Sequence, residues 1–116
     1  MIEIYHRRTG ECVCGVESDS LKQVPLAGAD LEGAVLRGAS LIGADLHRAD
    51  LRLADLCEAD LREADLRQAD LRGADLLGAD LRNARLSGAK LALARYDRYT
   101  RWPSGFDPGR WGATMV

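Results

Sequence analysis

Cysteine is sparse in this sequence of 116 residues: Cys12, Cys14 and Cys57 are all there is. An odd count without framework spacing excludes a disulfide scaffold. A reducing, cytoplasmic setting is the expectation that follows. No apolar run approaches the ~18 residues of a membrane span. The start, Met1-Ile2-Glu3-Ile4, lacks the basic residues and apolar stretch of a secretory leader. A soluble chain with no membrane partner is expected. Charge of either sign is not in excess, with a formal net charge of -2. That opposes a simple electrostatic nucleic-acid binder, which would be basic. No Ser-centred elbow, phosphate loop or dinucleotide fingerprint occurs. No enzyme and no cofactor are expected. Aromatic residues are few, and the only Phe and both Trp residues fall at the C-terminal end.

What the chain has instead is one five-residue phrase. Leucine stands at every fifth position from Leu26 to Leu91, and Tyr96 takes the next slot. Alanine sits two places before it from Ala29 to Ala94, and the residue between is most often Asp. A helix turns about 100° per residue, so a period of five would scatter these leucines around every side. A flat strand would send successive ones to opposite faces. They share one interior only if the chain turns a corner once per repeat. Each pentapeptide is then one side of a coil.

The tandem phrase A-(D/N)-L-x-x resembles that of the pentapeptide repeat family, over about two thirds of the chain. The resemblance implies an all-β fold: a right-handed quadrilateral parallel β-helix, a pentapeptide repeat solenoid with four pentapeptides per coil. The central Leu and the Ala two places before it would point inward, and the other three positions outward. Residues twenty apart would then stack, roughly 4.8 Å apart. The expected interior columns are Leu26/Leu46/Leu66/Leu86, Leu31/Leu51/Leu71/Leu91, Leu36/Leu56/Leu76/Tyr96 and Leu41/Leu61/Leu81. The slots fill a little under four coils.

Three segments follow. Residues 1–23 read as an N-terminal β-hairpin cap. Ile2 to His6 alternates like a strand, Arg7 to Glu11 turns, Cys12 to Val16 returns, and Ser18-Asp19-Ser20-Leu21 leads to the first coil. Residues 24–98 form the solenoid. Gly28, Gly33, Gly38 and Gly43 occupy the last slot of the early repeats, so these corners are expected to differ in turn type from later ones. Residues 99–116 leave the repeat as an irregular aromatic capping tail. The phrase from Tyr96 to Pro108 resembles a tail found on bacterial members of the family.

The outward Asp residues could in principle bind cations, but their recurrence on every side reads as a structural rule, a short acceptor for turn N–H groups. Cys12-x-Cys14 is at most half a metal site. His6 and His47 show no ligand spacing, and His47 and Cys57 fall on opposite sides of a coil. No metal is expected. The residues left as partner-binding candidates are Arg52 above Arg72, Arg62 above Arg82, and the tail's Trp102, Phe106 and Trp111. The expected function is a non-enzymatic scaffold or protein–protein interaction module, with an unknown protein partner and a homodimer through the tail. The alternative is a family role: mimicry of duplex DNA to bind DNA gyrase and confer quinolone resistance. That role needs a long acidic rod, and residues 24–98 hold 13 acidic and 11 basic residues.

Overall fold

The computed structural model describes residues 1–18 and 20–116. Its unit is a corner. The alanine amide donates to the leucine carbonyl three residues back, as from Ala59 to Leu56 (3.1 Å) and from Ala69 to Leu66 (3.0 Å). The residue before each repeat alanine lies in the left-handed region, from Gly28 (φ 68°) to Leu93 (φ 62°), as does Gln23 (φ 57°) before Val24. That pair of features closes a β-turn with positive φ at its third position.

The expectation that glycine corners differ from the rest is corrected here. Gly28 (φ 68°) and Glu63 (φ 61°) have the same backbone. The coil demands this turn at every corner, and eight non-glycine residues accept the strain. An L-residue there costs about 1–2 kcal/mol, while glycine's extra freedom in the unfolded chain costs about 0.5–1 kcal/mol. Glu63→Gly is therefore expected to stabilise by roughly 0.5–1 kcal/mol, read as a higher urea midpoint. An unchanged or lower midpoint would mean the corner carries no strain.

Between corners each side is barely one bridge wide. Asp45 pairs with Asp65, Asp50 with Asp70, Asp55 with Asp75 and Asp60 with Asp80, all in parallel. The twenty-residue spacing gives four pentapeptides per turn. Each rung is held from both sides: the Leu46 amide donates to the Asp65 carbonyl (2.8 Å), and the Asp65 amide donates to the Ala44 carbonyl (2.9 Å). Inside, the leucines from Leu41 to Leu81 have no solvent exposure, and the alanines from Ala44 to Ala79 have almost none. The result is a parallel β-helix, with principal extents of 36 × 26 × 22 Å for the whole chain.

The ladder starts before residue 24. Leu21 accepts from the Val24 amide (3.3 Å), and Gln23 donates to Ile42 in the coil above (2.8 Å). Leu21 is therefore the first member of the Leu41/Leu61/Leu81 column, a place the solvent-facing residues beside it hide from the sequence pattern. Asp19, on the expected approach to the first coil, lies outside the described residues. Strands β1 (Ile2–Tyr5) and β2 (Cys12–Val16) form the antiparallel hairpin. Ile4 and Val16 join the core. The hairpin also hydrogen-bonds to the first coil, with Val35 donating to Tyr5 (2.7 Å) and Arg7 donating to Gly33 (2.7 Å). The otherwise open end of the ladder is thereby paired, as exposed strand edges usually must be.

The tail was expected to leave the repeat, and its backbone does not. Arg101 bridges Asp80 in parallel, twenty-one residues on. Leu93 donates to Gly112 (2.9 Å). Strand β3 (Arg95–Tyr96) pairs in parallel with β4 (Thr114–Met115). The tail thus traces one more, distorted coil. The extra residue is absorbed at Asp97, whose Oδ1 accepts from the amides of Gly78 (3.1 Å), Tyr99 (2.9 Å) and Thr100 (3.1 Å). Thr100 in turn donates its hydroxyl to the Leu76 carbonyl (2.8 Å). Aromatic rings then take the place of leucine. Trp102 packs edge-on to Tyr96 (5.6 Å between centroids) and stacks on Phe106 (5.3 Å).

Candidate interaction surface

The outward positions follow from the corner. In eight repeats an Asp before the leucine accepts from the amide two residues on, as Arg62 donates its amide to Asp60 Oδ1 (3.2 Å). When that second residue is arginine, its guanidinium folds back onto the same carboxylate. Arg62 Nε reaches Asp60 Oδ1 (2.9 Å) and Nη2 reaches Oδ2 (2.7 Å). The same fork forms at Asp50/Arg52, Asp65/Arg67, Asp70/Arg72 and Asp80/Arg82. Planar guanidinium matches carboxylate in this two-point geometry. At Asp65 the Arg67 hydrogen bond holds the carboxyl down at about 2. The corresponding arginine bonds lower Asp50, Asp60, Asp70 and Asp80.

Four of the expected partner-binding residues are therefore already engaged. Arg52, Arg72, Arg62 and Arg82 each hold the Asp two residues before them. Arg52 Nε also approaches Asp70 (3.9 Å), and Arg62 Nε approaches Asp80 (3.9 Å), across neighbouring coils. A ligand would have to compete with these carboxylates.

The side containing Asp55 and Asp75 is built differently. Both carboxylates are buried and draw on distant arginines. Arg37 reaches Asp55 (3.0 Å). Asp75 takes Arg95 (3.0 Å) and Arg7 of the hairpin turn (3.4 Å). Arg7 also donates to the Leu53 carbonyl (3.1 Å), tying the cap to later coils. Cys57 occupies the slot that holds arginine elsewhere. Burial, and then the nearby Asp55, push its thiol up to about 11. Thiolates are the reactive form. Iodoacetamide at mildly alkaline pH is expected to modify exposed Cys12 quickly and Cys57 only after denaturation. Mass spectrometry of the peptides checks this, and early labelling of Cys57 would show that the coil opens there.

His47 had no ligand spacing in the linear sequence. The coil corrects that by bringing Asp65 beside Asp45 and His47, with one ligand atom from each within 4.8 Å of the others. His47 Nδ1 lies 2.8 Å from Asp45 Oδ1. These three residues could offer a cation three donors, but Arg67 occupies both oxygens of Asp65. His6 lies elsewhere, facing Glu32 (3.4 Å).

Of the three tail aromatics, Trp102 and Phe106 are half-buried and pack on the core. Trp111 is open to solvent at 56%. An apolar cleft of about 390 Å³ lies beside it, lined by Leu86, Pro103, Phe106 and Trp111 among others. Leu93 (73% exposed), Tyr99 and Met115 add to the apolar surface at this end. The sequence reading missed Leu93, although its place in the outward last slot of the repeat was a usable signal. Among the described residues, no helix is long and apolar enough to cross a membrane.

Comparison with known proteins agrees with this geometry. The family model described as pentapeptide repeats matches in eight copies, over residues 20–56 and 59–95. No curated protein matches the chain. Among solved structures, a pentapeptide repeat protein from Nostoc Pcc 7120 is 39% identical, with 82% of this chain and 86% of that one covered and a TM-score of 0.45. A pentapeptide repeat protein from the Arabidopsis thaliana thylakoid lumen is 32% identical, with 66% of this chain and 63% of that one covered and a TM-score of 0.54. A plasmid-mediated fluoroquinolone resistance protein is 14% identical, with 79% of this chain and 67% of that one covered and a TM-score of 0.41.

Proposed function

Because the chain belongs to the pentapeptide repeat family, we propose that it is a non-enzymatic scaffold: a right-handed, four-sided rod that binds a protein partner in the cytoplasm. The observation that carries this reading is the contrast between sides and end. Along the sides, five Asp–Arg forks neutralise their own charge. At the C-terminal end, Leu93, Tyr99, Trp111 and Met115 stand open. Trp111 borders the apolar cleft of Leu86, Pro103 and Phe106, and a cleft of this kind marks an interaction surface. The partner is a different protein or a second copy.

Affinity capture from the native organism, beside a solution mass measurement of the purified chain, tests the reading. A retained protein that is lost with Trp111→Ala and Leu93→Ser, or a dimer lost with the same changes, is the expected result. A monomer that retains nothing above an unrelated rod would overturn it. The DNA-mimicking alternative needs a uniformly acidic side, and the forks oppose that. No inhibition of gyrase supercoiling at micromolar protein is expected.

A further inference from the structure

The charge of this rod is divided along its length. Residues 1–82 hold sixteen acidic and ten basic residues, and residues 83–116 hold two acidic and six basic. The coil turns that gradient into a ring. On each of the four sides an Asp gives way to a cation at the same level: Asp65 to Arg85, Asp70 to Lys90, Asp75 to Arg95 and Asp80 to Arg101. All four cations are exposed. Only Arg95 is spent on an ion pair, to Asp75 (3.0 Å). Among the described residues, Arg85, Lys90 and Arg101 form none. Of the two acidic residues here, Asp97 turns its carboxylate onto the backbone amides of Gly78, Tyr99 and Thr100.

The apolar cleft lies next to two members of this collar, Arg85 and Lys90. Its lining includes Ala84, Leu86 and Ala89, the immediate chain neighbours of Arg85 and Lys90, and Trp111, which follows Arg110. We propose that the collar and cleft together dock a short acidic segment of a partner protein. Its carboxylates would meet Arg85 and Lys90, and one apolar side chain would enter beside Phe106 and Trp111. This rests on the scaffold reading above and names the partner's chemistry.

Three physical points select this occupant. A second copy joined tail to tail would set two basic collars against each other, and like charges in contact are costly. A second copy joined head to tail would offer its hairpin cap, whose residues 1–23 hold four acidic and three basic residues and so carry almost no net charge for the collar to attract. A nucleic acid would extend past the collar onto the acidic remainder of the rod, where its phosphates are repelled. A short segment with unpaired carboxylates meets none of these objections.

The probe is a short fluorescein-labelled peptide of Glu and Asp around one central Leu, followed by fluorescence polarisation. Saturable binding that weakens with salt is expected. Arg85→Glu with Lys90→Glu should weaken it by about tenfold or more. Arg8→Glu with Lys22→Glu, the same charge change at the other end, should leave it within about twofold. Trp111→Ala, or a probe lacking the Leu, should also weaken it severalfold. Circular dichroism confirms that each variant keeps the fold. Equal binding by the collar variant, no saturable binding, or tighter binding of an oligonucleotide of matched charge would overturn the proposal. So would self-association that the collar variant abolishes. If a native partner is captured equally well by the collar variant, the scaffold reading stands and the collar assignment fails.

Discussion

Replacing Leu61 by alanine is expected to destabilise the protein by about 2–5 kcal/mol. The lower figure is the transfer cost of the removed carbons, and the upper adds the cavity they leave. The upper part of the range applies here because the walls cannot close in. Leu61 has no solvent exposure and sits mid-column between Leu41 and Leu81. Its own amide donates to the Asp80 carbonyl (2.7 Å), and its carbonyl accepts from Ala64 (3.1 Å). Those backbone bonds recur on every side, so the coil can shrink only by breaking them. Leu21, at the edge of the same column, has 9% exposure and one neighbouring coil. Leu21→Ala should therefore cost distinctly less. Urea denaturation checks this through the midpoint, with the slope unchanged. A loss below about 1 kcal/mol at Leu61 would mean that the interior repacks freely.

The opposite change probes the other interior slot. Ala64 is fully buried at the corner, with its amide bonded to Leu61. A larger side chain there has no direction in which to grow, so overpacking by Ala64→Leu is expected to cost about 1–3 kcal/mol.

The corner and its core were legible because the interval of five admits no other shelter for a leucine. The inward Ala, the columns stacked at twenty residues and the outward Asp came from the resemblance to the pentapeptide repeat family, not from the interval itself. The identity of the side chains at the left-handed position came from neither. Glutamate and leucine are poor choices for positive φ, and only the register of the coil puts Glu63 and Leu53 there. The forks were half visible, since Asp and Arg two residues apart can meet. That the Nε–Nη2 edge of Arg52 and of Arg62 would close on both oxygens of one carboxylate is a matter of side-chain geometry. The links from Arg7 and Arg37 to buried carboxylates span 68 and 18 residues, and no local pattern announces them. The tail misled because its phase slips by one residue at Asp97, after which Arg101 and Trp102 fall out of the count although the backbone keeps climbing. The basic collar was present in the sequence as three columns ending in cations. Only the slip explains why Arg101 is the fourth.

Acid should unfold this rod steeply. Asp45, Asp50, Asp60, Asp65, Asp70 and Asp80 are all held below the ordinary carboxylate value of 3.8 by side-chain hydrogen bonds, from His47 at Asp45 and from arginine at the others. At Asp55 and Asp97 burial favours the neutral acid. Amide donors from Cys57 and from Gly78, Tyr99 and Thr100, with the Arg37 guanidinium at Asp55, outweigh it. Each carboxylate therefore binds its proton less readily in the folded chain than in the unfolded one. The unfolded state takes up more protons as the pH falls, so the stability these groups contribute is complete above the ordinary carboxylate range. It is lost as the pH descends through the folded values, the lowest being Asp65 at about 2. Eight carboxylates shifted in the same direction make the loss steep even where each is modest, as half-exposed pairs are. The urea midpoint is expected to hold from neutrality to about pH 5 and to fall sharply between about pH 4 and pH 2. Asp65→Asn, which keeps the amide acceptor and removes the charge, should lower the plateau slightly and flatten the slope. A midpoint that stays constant down to about pH 2 would show that the Asp–Arg forks contribute nothing to the fold.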